Sequence, residues 1–173
     1  MDRFMDKIGD AIAPIAQKMT ANRYLSAIKE GFFGSTPILI AGSIFLLFTS
    51  LPFNGYTEFM ESTFGAGWMD FFYLPYQVSF KLMAIFVVIG MAKSLANYYK
   101  VDSKLAIALS FVGILLLTPV IVTVENVKGL PLDNFSAQGL FVCMIAAALA
   151  VEIYRWCVQK GFTIKMPDSV PQN

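Results

Sequence analysis

The chain has 173 residues, of which 57% are hydrophobic and 14% charged. Ordinary soluble domains carry roughly 25% charged residues, and the mean hydropathy of +0.63 also points away from a soluble fold. A net charge of +1 gives no global field for nucleic acid. The absence of histidine excludes serine–histidine and cysteine–histidine catalysis, histidine metal sites and phosphohistidine in these residues.

Residues 1–19 show helical periodicity. Met1, Phe4, Met5, Ile8, Ile12, Ile15 and Met19 recur at steps of three or four and form one apolar stripe. Pro14 bends or divides this helix. It packs on the protein itself or lies in the membrane interface. Asp2, Asp6 and Asp10 stand where a signal peptide would be basic, so no signal peptide is expected. Residues 1–30 are therefore read as an amphipathic cytoplasmic or interfacial segment.

Four apolar runs follow, and residues 31–156 are read as a transmembrane helical scaffold. Residues 31–51 carry no charge and, at ~1.5 Å per residue, cover the ~30 Å hydrocarbon core. Pro37 sits inside this span, with Gly42 and Ser43 just beyond as small packing residues. Residues 52–70 read as an acidic loop with Glu58, Glu61 and Asp70. An aromatic cluster, Trp68, Phe71, Phe72, Tyr73 and Tyr76, follows at the expected headgroup level.

The second span is read at 74–92, with Lys81 its single charge. A basic turn leads to a third span at 105–124, with Pro119 in its distal third. The fourth is read at 139–156, and Glu152 interrupts its charge-free run. Residues 157–173 read as a cytoplasmic tail.

The basic residues fix an orientation. Arg3, Lys7, Lys18, Arg23, Lys29, Lys93, Lys100, Lys104, Arg155, Lys160 and Lys165 fall on one side, eleven of the 13. Lys128 falls on the other side and Lys81 within a span. The fold expected is all-α and polytopic, an amphipathic helix followed by about four transmembrane helices, with both termini cytoplasmic.

No catalytic constellation, metal site or cofactor motif is present. Cys143 and Cys157 lack metal-ligand spacing and read as free thiols. The intramembrane ionisable residues are the default candidates. Lys81 is read as snorkelling outward, where Asp70 or Glu125 could meet it. Glu152 and Arg155, three apart on one helical face, are read as an interfacial ion pair.

Several stretches carry a resemblance. They are Gly31-Phe32-Phe33, Thr36-Pro37-Ile38, Gly42-Ser43, Leu95-Ala96 through Tyr99-Lys100, Leu117-Thr118-Pro119, Gly139-Leu140-Phe141 and Glu152-Ile153-Tyr154-Arg155. The most specific is the run from Ile164 to Pro171, with Lys165, Pro167 and Asp168 inside it. Together they resemble the N-terminal part of the sugar-translocating IIC subunit of the bacterial phosphoenolpyruvate-dependent phosphotransferase system, in its lactose/cellobiose (diacetylchitobiose) group.

The resemblance implies a multi-pass protein of the bacterial cell membrane serving uptake of a β-linked disaccharide. It implies a homodimer scaffold, and separate IIA and IIB components that carry the phosphoryl group, so this chain is no enzyme by itself. Members of the family run on beyond the match to Pro171, and the sugar contacts belong to that downstream half. No sugar-binding residue is therefore expected here, and the expectation is a truncated or split subunit. The alternative is a stand-alone membrane interaction protein that associates with full-length IIC subunits and modulates them.

Overall fold

The computed structural model describes residues 21–119, 121–122 and 128–162. The amphipathic stripe at 1–19 and the motif residues Lys165, Pro167, Asp168 and Pro171 lie outside the described residues.

Helix α1 spans Arg23–Thr49. Asn22 caps it, its Oδ1 accepting from the backbone N–H groups of Tyr24 (3.0 Å) and Leu25 (3.3 Å). The polar stretch before the first apolar run is therefore helical and continuous with it. Pro37 leaves the Phe33 carbonyl without its i+4 donor. The hydroxyls of Ser35 and Thr36 both donate to the neighbouring Phe32 carbonyl, at 2.8 and 2.9 Å.

The segment read as a loop holds a helix, α2, Tyr56–Phe64, bounded by Gly55 and Gly65 in left-handed-side φ of 81° and 85°. Helices α3 (Trp68–Lys81) and α4 (Met83–Tyr99) follow, separated only by Leu82 and bent by 42°. The apolar run read as one span at 74–92 thus contains a break immediately after Lys81. Lys100 ends α4 in a left-handed conformation (φ 56°), its N–H and that of Val101 satisfying the last carbonyls.

Helix α5 spans Ser103–Leu117, capped by Asp102, which accepts from Lys104 N at 2.7 Å. The span read at 105–124 is corrected here. The helix stops at Thr118, whose ψ of 118° is the extended conformation that a following proline imposes. Its 15 residues cover about 22 Å, less than the hydrocarbon core. Beyond Pro119 the chain turns into a two-stranded antiparallel ribbon, β1 (Ile121–Val122) on β2 (Lys128–Gly129). A short 3-10 helix at Leu132–Phe135 leads to the last helix, α6, Leu140–Gln159.

Apart from this short two-stranded ribbon, the architecture is a helical bundle with candidate membrane spans. By length and composition α1 and α6 are each long and apolar enough to cross a membrane, and the bent α3–α4 pair counts as a third if its two helices form one broken span rather than a re-entrant loop.

The core is built on α4, which buries Ala84, Val87, Val88, Met91, Ala92, Leu95 and Ala96 against α1, α5 and α6. Small residues set the helix spacing, as close packing in lipid requires. A Cβ on Gly31 would lie 2.5 Å from the Val87 carbonyl oxygen, and one on Gly42 2.5 Å from Ser79 Cβ. Between α5 and α6, Ser110 Oγ donates to Ala106 O (2.8 Å) and reaches Ala147 O at 3.5 Å. Large side chains such as Phe33, Leu47, Leu116, Phe141 and Ile145 point outward instead, the inverse of a water-soluble bundle.

Candidate functional site

Antiparallel packing brings the start of α1, the end of α4 and the end of α6 to one end of the bundle. Glu152 of α6 stands at their junction. Its Oε1 accepts a hydrogen bond from Tyr24 Oη of α1 at 2.8 Å and a second from Tyr99 Oη of α4. Its Oε2 accepts from Arg155 Nη1 at 2.9 Å.

Two guanidinium groups flank this carboxylate. Arg155 lies over the Tyr99 ring, 4.4 Å from its centroid. Arg23 lies 5.0 Å from the Tyr24 ring and 5.4 Å from that of Tyr99. All three distances suit cation–π attraction. The arrangement joins three helices through one carboxylate. Both its oxygens are engaged by protein donors, so it is suited to bracing helix ends rather than to accepting a proton from a substrate.

At the opposite end, Lys81 closes α3 and its Nζ meets Asp133 Oδ1 of the 3-10 helix at 3.2 Å. Both side chains are exposed. The partner of the ammonium is Asp133 rather than Asp70; Glu125 lies outside the described residues.

The other motif residues are dispersed. Pro37 is exposed midway along α1, Gly42 is buried against Ser79 of α3, and Pro119 follows α5. Among the described motif residues only Glu152 belongs to a polar cluster. Its pairing with Arg155 follows from i,i+3 spacing. Tyr24 and Tyr99 carry no local signal, since they lie 128 and 53 positions from Glu152. Among the described residues there is no group of three metal-ligating side chains.

Residues 29–173 match the family model described as "Phosphotransferase system, EIIC". The chain is 42% identical, over 99% of its length, to the "PTS system cellobiose-specific EIIC component" of Geobacillus stearothermophilus, covering 40% of that protein. It is 37% identical, over 99% of its length, to the "Lichenan permease IIC component" of Bacillus subtilis (strain 168), again covering 40%. Among solved structures it superposes on the transporter ChbC, the IIC component of an N,N'-diacetylchitobiose-specific phosphotransferase system. The TM-score is 0.83 and the identity 41%, over 95% of this chain and 40% of that one. The chain therefore spans about 40% of the length of these relatives.

Proposed function

Because this chain belongs to the EIIC family of the phosphotransferase system, we propose that it forms the scaffold portion of a sugar permease subunit in a bacterial cell membrane. The sugar is a β-linked disaccharide of the cellobiose, diacetylchitobiose or lactose kind. The observation that carries this reading is the 42% identity, over 99% of the chain, to a cellobiose-specific EIIC component. IIA and IIB components supply the phosphoryl group, and the translocating part of the subunit supplies the sugar contacts.

Two features support a static role. Helix α4 is buried along most of its length. The bundle is also tied at one end by Glu152 and at the other by Lys81 and Asp133. In the assembled permease these helices act as the dimerisation scaffold against which the sugar-carrying part moves. Both termini face the cytoplasm.

Membrane vesicles test the proposal. They contain this chain, the remaining part of a cellobiose-specific EIIC, IIA, IIB and phosphoenolpyruvate. They are expected to phosphorylate and accumulate cellobiose, and vesicles lacking this chain are not. Saturable sugar binding by this chain alone would place the sugar contacts in the wrong part of the subunit. Equal accumulation with and without the chain would remove the scaffold role.

A further inference from the structure

Between α1 and α4 runs an open-sided groove of about 700 Å³. Its origin is the backbone contact where the two helices cross. A Cβ on Gly90 would lie 2.8 Å from Gly31 Cα, so the helices touch there. Beside that contact Gly34 forms a wall with nothing within 4 Å of a Cβ position.

The two ends of the groove differ in chemistry. Towards Tyr24 and Tyr99 it is lined by Glu30, Lys93 and Asn97; towards the other end, by Ile38, Phe86 and Ile89. From Ser26 to Ile38 the α1 wall is about 18 Å long. That is close to one leaflet of a ~30 Å hydrocarbon core. With its polar end at headgroup level, the groove would bring its apolar end near the bilayer centre.

Lys93 and Glu30 face the same end without pairing with each other. Among the described residues Lys93 has no ion-pair partner. Glu30 meets only Lys29, at 3.3 Å with both side chains half exposed, an interaction of little strength. The groove therefore offers one available cation, one carboxylate with acceptor capacity to spare, and an apolar trough leading away from them.

We propose that this groove holds one phospholipid whose headgroup carries both a phosphodiester and a primary ammonium, as phosphatidylethanolamine does. Lys93 takes the phosphate, Glu30 accepts hydrogen bonds from the ammonium, and an acyl chain lies along Ile38, Phe86 and Ile89. A trimethylammonium headgroup has no N–H to donate to Glu30. Phosphatidylglycerol offers Glu30 only neutral hydroxyl donors, which bond a carboxylate more weakly than an ammonium does. A second copy of the chain is a poorer match, since an apolar helix face leaves both charges at the polar end unanswered. The inference rests on the chain's place in a membrane and not on the identity of its sugar.

Native mass spectrometry of the chain in detergent tests it, with phosphatidylethanolamine, phosphatidylcholine and phosphatidylglycerol of identical acyl chains titrated separately. Phosphatidylethanolamine is expected to be retained about tenfold better than the other two, the increment of one charge-assisted hydrogen bond. Glu30→Gln should bring it down to the phosphatidylcholine level, and Lys93→Gln should weaken all three. Ile38→Trp, which fills the apolar end, should remove retention altogether. Both charged positions are exposed, so circular dichroism of those variants should match the parent. Equal retention of the three lipids by the parent would overturn the proposal. So would a preference that survives both charge substitutions, or a dimer that excludes lipid from the groove.

Discussion

The hydroxyl of Tyr24 lies 2.8 Å from Oε1 of Glu152, although 128 positions separate them in the chain. One hydrogen bond thus joins the first described helix to the last. Tyr99 donates to the same oxygen from the helix between them. Hydrogen bonds to a charged group contribute about 1.5–3 kcal/mol each, and the partial exposure of this site puts them at the lower end.

Tyr24→Phe should therefore lower the midpoint of thermal unfolding in detergent by a few degrees. Glu152→Ala should lower it further, because it also leaves Arg155 without its carboxylate. The pair should be coupled: in the Glu152→Ala background, Tyr24→Phe should cost almost nothing. Additive losses in the double variant would show that the two side chains do not share an interaction.

How far this was readable from the residues differs from element to element. The charge-free runs marked α1 and α6, because uninterrupted apolar length is a direct signal of burial in lipid. The Glu152–Arg155 pair followed from helical spacing. Helix α2 did not emerge, because Gly55, Gly65 and Gly67 surround nine residues of mixed polarity and imitate a loop. The end of α5 was placed too late because hydropathy weighs Val120 to Val124 as it weighs leucine. Those five residues, Val-Ile-Val-Thr-Val, are all β-branched, a composition that favours strands, and Ile121 and Val122 do pair as one. The break at Leu82 carries neither proline nor glycine. The partners of Glu152 and Lys81 come from distant segments, which no local pattern connects.

The small residues divide into those that touch a neighbouring helix and those that do not. Gly31→Ala pushes a methyl group against the Val87 carbonyl oxygen. Backbone has little room to yield, so a loss of about 1–3 kcal/mol is expected. Gly34→Ala meets open space and should be neutral or gain up to about 1 kcal/mol from helix propensity. Ala147→Leu, at a fully buried position facing Ser110, should disrupt the α5–α6 packing. Folded yield by size-exclusion chromatography in detergent separates the three, and equal yields for Gly31→Ala and Gly34→Ala would contradict the packing described.

Lys81 should tolerate replacement. Its bond to Asp133 is 3.2 Å long with side-chain exposures of 46% and 66%, and such exposed pairs contribute about 0–1 kcal/mol. Lys81→Leu should leave membrane integration unchanged and unfolding within about that range. Loss of integration would mean that the ammonium is held by more than this single carboxylate.

Topology gives the most direct test of how the bundle sits in the membrane. Packing gathers Arg23, Lys29, Lys93, Lys100, Lys104, Arg155 and Lys160 at the end marked by Glu152. Glu58 and Glu61 belong to α2, between α1 and α3, and Asp70 to the first turn of α3, at the other end. Positive residues are retained in the cytoplasm, so the Glu152 end should face inward. Cys157, about one and a half helical turns beyond Glu152 and partly exposed, should react with a membrane-impermeant maleimide only in inside-out vesicles. Cys143 is buried, its Sγ 3.4 Å from the Asn134 carbonyl oxygen, and should stay unreactive in both orientations. A cysteine placed at Glu61 should react only from outside in intact cells. Labelling of Cys157 from outside together with labelling of position 61 from inside would invert the bundle. Labelling of both from the same side would mean that an even number of crossings separates them, so that one of the bent α3–α4 pair, α5 and α6 does not cross the membrane.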